Sequence, residues 1–174
     1  MGMQRKVRLF ISMSLDGYIA RHDGSVDWIL NDQDYGYTRF YEEIDTVLMG
    51  RHTWEQLTSI GAYPYTGKAG VVFTHLPEEE SDGDVRFVMQ PVDAWLNEAR
   101  QQDGGDFWLL GGARLFDACL AAKLVDEIQI CLHPVLLGDG VALFRPLGVE
   151  TGLELQESVA YPSGLVRLTY RRIN

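Results

Sequence analysis

The chain has 174 residues, of which 46% are hydrophobic and 23% charged, and its formal net charge is -10. That length and balance fit a single globular domain, residues 1–174, with a core large enough to need no staples. The charge argues against nucleic acid or an anionic membrane held by overall attraction, but not against a small anionic ligand met by a local group of cations. No apolar run approaches the ~20 residues of a membrane span.

Val7 to Ser14 alternates and is rich in apolar residues, which predicts a first strand. A signal peptide is the other reading of this basic-then-apolar start. Ser12, Ser14 and Asp16 interrupt it and no clean small-residue cleavage site follows, so a cytoplasmic protein is expected. Asp16-Gly17 bends the chain, Tyr18-Ile19-Ala20 continues it briefly, and Val26 to Leu30 is an apolar patch carrying Trp28. Tyr37, Phe40 and Tyr41 are spaced as on a helix, predicted over Asp32 to Ile44 with Asn31 or Asp32 as its cap.

Thr46 to Met49 reads as a short buried strand. It ends at Gly50, and a helix begins at Arg51-His52-Thr53-Trp54. A loop follows, then a strand at Val71 to Thr74 and an acidic stretch, EEESDGD, read as solvated. Val85 to Met89 is a further strand, and Pro91 suits the first turn of a helix running to about Arg100. The stretch FWLLGGARLFDACL, Phe107 to Leu120, is a buried strand, a glycine turn and an amphipathic helix. Asp126 to Leu132 is another strand, ended by His133-Pro134. Leu153 to Tyr161 and Leu165 to Ile173 form a hairpin. Strands alternating with helices and closing in a hairpin predict an α/β fold, with a mostly parallel sheet, helices on both faces and an antiparallel edge.

Cys119 and Cys131 sit in apolar stretches and read as buried free thiols, and His22, His52, His75 and His133 lack metal-ligand spacing. In an open α/β sheet, ligands bind beyond the carboxyl ends of the strands. Two such ends carry glycine before a helix, at Gly50 and at Gly111-Gly112, and a third ends in Thr74-His75. The glycines are either plain strand-to-helix turns or places where phosphates approach the backbone and an open helix start. Arg51 and Arg114 are either solvated surface cations or the contacts of a ligand with two anionic regions.

MGRHTWEQL, Met49 to Leu57, resembles the second strand-helix turn of dihydrofolate reductases. LLGGARLF, Leu109 to Phe116, resembles that family's glycine-glycine turn, and Val125 to Phe144 its following strand and loop. SLDGYIA together with GSVDWI resembles the opening of the reductase domain of the bifunctional riboflavin-biosynthesis deaminase-reductase. These motifs run in order through nearly the whole chain, which is similar to stand-alone domains related to both, and at this length no upstream deaminase domain is expected.

The resemblance implies a dihydrofolate reductase-like fold and an NADPH-dependent reductase of a small heterocycle, pteridine or ribosylamino-pyrimidine. A non-catalytic nucleotide-binding module is the alternative. By the resemblance, Ile19 and Ala20 meet the nicotinamide, and Gly50, Arg51, His52 and Thr53 the phosphates. Phe73, Thr74 and His75 surround the adenosine, and Gly111, Gly112, Ala113, Arg114 and Leu115 hold the pyrophosphate and its neighbours. Trp28 falls on an active-site tryptophan, or is a core aromatic. Asp34 is the nearest match to the substrate-binding carboxylate, or is a first-turn acid favoured by the helix dipole. The family's threonine beside that carboxylate falls near Ile130, whose side chain cannot hydrogen-bond a pterin, and this points away from dihydrofolate as the substrate. Riboflavin-type reductase domains pair, so a homodimer is expected, formed at the apolar C-terminal strand edge.

Overall fold

A computed structural model describes residues 4–76 and 83–173; of the acidic stretch, residues 78–82 lie outside the described residues. Its strands are β1 (Val7–Ser14), β2 (Tyr18–Ala20), β3 (Ile44–Gly50), β4 (Ala69–Phe73), β5 (Val85–Val88), β6 (Asp106–Gly111), β7 (Glu127–His133), β8 (Val141–Ala142), β9 (Leu153–Ala160) and β10 (Val166–Arg172). The helices are α1 (Tyr37–Glu43), α2 (Arg51–Ile60), α3 (Val92–Ala99) and α4 (Ala113–Ala121).

Eight strands form one sheet in the order β5-β4-β3-β6-β1-β7-β10-β9, and β2 pairs with β8 in a separate ribbon. From β5 to β7 every neighbour is parallel; β10 runs antiparallel to both β7 and β9. This is the mostly parallel α/β fold with an antiparallel hairpin edge that the alternation of elements predicts. The sequence carries no sign of the ribbon, because β8 is two residues long and has no periodicity of its own.

Period-2 alternation sends successive side chains to opposite faces. Val7, Leu9, Phe107, Leu109, Ile128 and Ile130 go to one face, where α3 and α4 cover them with Trp95, Leu96, Phe116 and Cys119. Val47, Met49 and Trp108 go to the other, under Phe40 of α1 and Trp54 of α2. Fully burying one such side chain contributes about 1.5–3 kcal/mol, so the two helix layers hold the sheet from both sides. Both cysteines are buried free thiols. Burial pushes Cys119 up to about 12 and Cys131 up to about 11, so neither is a thiolate at neutral pH.

The first helix starts five residues later than its aromatic spacing predicts. Tyr35 (φ 52°) and Gly36 (φ 87°) both take left-handed backbone, which no helix can continue. Asp34 therefore precedes the helix instead of lying in its first turn. One of its oxygens accepts from the Thr38 N–H and hydroxyl, at 2.9 and 2.7 Å, and the other from the Gly36 N–H at 3.0 Å. The expected cap Asp32 accepts instead from the Tyr35 hydroxyl. At the far end Ile44 leaves the helix to become the first residue of β3. The aromatic spacing itself is correct: Phe10 packs on Tyr37 and Phe40, and Trp108 on both.

Arg8 lies on the α1 face of β1 and is 5% exposed. Its guanidinium binds Glu127 at 2.8 Å, Asp106 at 3.4 Å, and Glu43 at the end of α1. A buried guanidinium is tolerated only when matched in this way. The hydrogen bond from Arg8 holds the Glu43 carboxyl below its ordinary value of 4.5. A carboxyl with a depressed folded-state pKa contributes stability above its unfolded pKa and loses it as pH falls through the folded one. Glu43→Gln is therefore expected to flatten the acid limb of the stability curve below about pH 4.5. Urea unfolding across that range, giving identical slopes for the two proteins, would contradict this.

Candidate active site

Three neighbouring strands end together. Gly50 of β3 sits opposite Phe73 of β4, and Met49 sits opposite Gly111 of β6. From β3 the chain goes through α2 to β4 on one side of this pair, and from β6 through α4 across β1 to β7 on the other. The crevice between β3 and β6 is thus a switch point of the sheet, the place where open α/β folds bind ligands. The two helices also depart to opposite faces, since Trp54 of α2 joins one core and Leu115 of α4 the other.

Their starting backbones meet at the glycines. A Cβ on Gly112 would come within 3.4 Å of the backbone N and Cα of Gly50 and 3.5 Å of Thr53 Oγ1. Gly112 (φ 95°, ψ 108°) and Gly111 (φ 153°) have conformations that side-chain-bearing residues rarely adopt. The result is a bare backbone surface flanked by two helix N-termini. In α4 the first internal bond runs from Phe116 N to Gly112 O, which leaves the amides of Ala113, Arg114 and Leu115 outside the helix ladder. Such a corner suits phosphate oxygens.

The remaining residues expected here contribute unequally. Arg51 opens α2, and its Nε donates to Glu55 at 2.8 Å, which orients the guanidinium. His52, His75 and Arg114 are exposed. Leu115 is buried in the core and has only its amide to offer a ligand. Phe73 turns its ring onto Trp95, at 5.7 Å. Thr74 is buried, and its hydroxyl accepts the Leu76 N–H at 3.1 Å.

A second group lies at the carboxyl ends of β1 and β7. Ser14 donates to Asp16 at 2.6 Å, and Asp16 accepts the N–H groups of Leu137 and Gly138, so the Asp16-Gly17 bend is tied to the loop after β7. The Ser14 hydroxyl is the main cause that holds the Asp16 carboxyl below its usual range. Ala20 O crowds Gly140, where a Cβ would come within 2.3 Å. Ile19, beside it, packs against the α3/α4 core. Trp28 meets His133 edge to face at 5.2 Å. His133 is 1% exposed, with Nδ1 on the Cys131 carbonyl at 2.9 Å, while its Nε2 and the Trp28 Nε1 are buried without a hydrogen-bond partner. By sequence alone, His133 is only the end of a strand. Its polar ring closing an apolar strand was the available signal.

Asp34 is exposed, and the Thr38 hydroxyl is the main cause holding its carboxyl below the usual range. Its hydrogen-bond partners are Gly36 and Thr38, whereas the ring partner of Trp28 is His133. Ile130 needs correction. It faces the α3/α4 core, whereas its neighbour Cys131 faces Tyr35 and Leu30, in the segment that leads through Asp34. Ile130 therefore carries no argument about the substrate. Among the described residues, no group of three or more His, Cys, Asp or Glu side chains forms a metal site.

A family model, the RibD C-terminal domain, matches residues 5–167, and the chain belongs to that family. The Bacillus subtilis protein YwjB is 37% identical over 98% of this chain and 99% of its own length. A structure from Shewanella sp. PV-4, named for riboflavin biosynthesis, superposes with a TM-score of 0.82 at 31% identity, covering 97% of this chain and 99% of that one. Dihydrofolate reductase from Enterococcus faecalis, solved with NADP(H), has the same fold at 20% identity and a TM-score of 0.70, covering 98% of each chain. The fold is thus of the reductase type.

Gly112→Ala places a side chain at φ 95° against the Gly50 backbone. A loss of about 1–3 kcal/mol is expected, read by chemical denaturation; an unchanged midpoint would mean that the corner relaxes freely.

Proposed function

We propose that the protein is an NADPH-dependent reductase of a small heterocycle of the pteridine or ribosylamino-pyrimidine type. The observation that carries this reading is the backbone contact of Gly112 with Gly50 between two open helix starts, a shape that admits a pyrophosphate where a side chain would not fit. Gly50, Arg51, His52 and Thr53 on one turn, and Gly111, Gly112, Ala113, Arg114 and Leu115 on the other, would hold the phosphates. Phe73, Thr74 and His75 would lie along the adenosine, and Ile19 and Ala20 along the nicotinamide. When bound, that cofactor supplies the hydride. The chain's own residues orient the ring and keep water out. Trp28 would border the substrate, and Asp34, ionised at neutral pH, would face a ring nitrogen of it.

One observation favours a second reading, a nucleotide-binding module without turnover. Both Asp34 oxygens already accept hydrogen bonds from the helix start. The two readings separate on NADPH oxidation over a panel of pterins and pyrimidines, where binding without turnover on any of them selects the module. With a competent substrate, Asp34→Asn is expected to lower the rate and spare NADPH affinity.

A preference for NADPH over NADH follows from Arg51. With a net charge of -10, long-range attraction works against a polyanion, so binding must rest on short contacts. A charge-assisted hydrogen bond is worth roughly 1.5–3 kcal/mol. With Arg51 on the 2′-phosphate, a group that NADH lacks, Arg51→Ala should weaken NADPH by about 10–150-fold and NADH much less, in titrations at one fixed low salt. Equal losses would move Arg51 to the shared pyrophosphate, and no loss would remove it from the site.

The cellular setting proposed is the cytoplasm, in keeping with two buried free thiols. The assembly proposed is a homodimer through the hairpin. β9 is the outermost strand of the sheet, with Leu153 and Leu155 40% and 51% exposed, and Ile173 beside it is 49% exposed. Open edges of this kind need a cover. Light scattering at micromolar concentration should give twice the chain mass, and a monomer mass would overturn the proposal.

A further inference from the structure

At the other end of the strands from the glycine corner, a cavity of about 650 Å³ opens between the end of α1 and the starts of β1, β6 and β7, with β10 and β9 as its far wall. That volume is within the range of small-molecule sites. Three of its lining side chains carry buried polar atoms without a partner: Gln129 Oε1, Thr169 Oγ1 and Arg167 Nε. They come from one patch of the sheet. Gln129 and Thr169 are directly paired across β7 and β10, and Arg167 is two residues from Thr169 on the same face. Gln129 and Thr169 are 6% and 7% exposed, and the Arg167 side chain 13%.

Unpaired polar atoms at such burial are costly, and three on one wall of one cavity call for a common partner. The buried and half-buried cations of the lining are already matched, Arg5 by Asp45 among them, while Lys6 and Arg39 are exposed. Arg8 is held by Glu43, Asp106 and Glu127, and Arg167 donates from Nη2 to Glu157 at 2.8 Å. An anion would compete with these carboxylates, and a cation with the arginines. Gln129 Nε2 donates to Glu127 at 2.7 Å, which fixes the amide with its carbonyl oxygen as the unused atom. The open positions are thus one acceptor, one donor and one hydroxyl that can serve as either.

We infer that this cavity binds a small uncharged molecule with a lactam or amide edge. Its N–H would donate to Gln129 Oε1, its carbonyl would accept from Arg167 Nε, and Thr169 would complete the contact. The site is separate from the glycine corner, and the inference does not depend on the reductase reading.

The test is titration of the ¹⁵N-labelled full chain with 2-pyrrolidinone. N-methyl-2-pyrrolidinone, which lacks the N–H, and benzoate, which carries a charge, are the comparisons. Saturable shifts at Gln129, Thr169 and Arg167 are expected for 2-pyrrolidinone, with binding at least tenfold weaker for both comparison compounds. Gln129→Met and Thr169→Val should weaken it at least tenfold, and Thr169→Ser should retain it. No saturable shift at these residues would leave the three atoms to water alone and overturn the inference. Shifts confined to Gly50 and Gly112, or benzoate binding as tightly, would overturn it as well. So would a fall in assembly mass on Gln129→Met, because a second copy of the chain would then be the partner of these atoms.

Discussion

The contact between the backbones of Gly50 and Gly112 is the constraint on which the rest of this molecule depends. β3 and β6 lie side by side, and each must release a helix at the same level, one to each face of the sheet. Two polypeptide turns then occupy the space normally left for side chains. A Cβ at 3.4 Å from a neighbouring backbone nitrogen and Cα, on a residue at φ 95°, is both crowded and strained. Omitting it brings two helix starts together, and the amides they cannot satisfy internally face the same opening. The packing requirement and the capacity to receive an anion therefore have one cause.

The two ends of the sheet solve their electrostatics differently. At the carboxyl ends, partial charge comes from backbone and helix dipoles, which need no counter-ion and leave room for a ligand to supply one. At the amino ends, the full charge of Arg8 is buried and already neutralised by the partly exposed carboxylates of Glu43, Asp106 and Glu127. A buried cation held in this way adds little net stability against an apolar substitute, yet losing one of its partners leaves part of its charge without a match. The cluster also ties α1, β1, β6 and β7 into one arrangement, because its four residues come from those four elements.

The segment between β2 and α1 shows how local rules yield to tertiary packing. Its aromatic spacing is helical, and the aromatics do face the core as that spacing requires. The helix is nevertheless shorter at both ends. Tyr35 sits in left-handed backbone, where its ring packs against Tyr161 at 4.8 Å and its hydroxyl meets Ser163 at 2.9 Å, both beside the hairpin turn far along the chain. Those contacts override the weak helix propensity of Asp32 to Gly36, which amounts to about 1 kcal/mol or less per residue.

By itself the sequence determined the element types, the parallel character of the sheet, the two glycine turns and the family resemblance. Each of these is written in short-range patterns: alternation, helical spacing, glycine before a helix. Only the tertiary structure decided which strands are neighbours, and β1 between β6 and β7 is a pairing of residues about a hundred positions apart in the chain. It also decided that Cys131 and not Ile130 faces the segment around Asp34, since a one-residue shift in register exchanges the faces of a strand. The burial of His133 against Trp28, and of Gln129, Thr169 and Arg167 around one cavity, was decided there too. Whether a polar side chain keeps a partner depends on atoms brought from distant parts of the chain, and no local pattern records them.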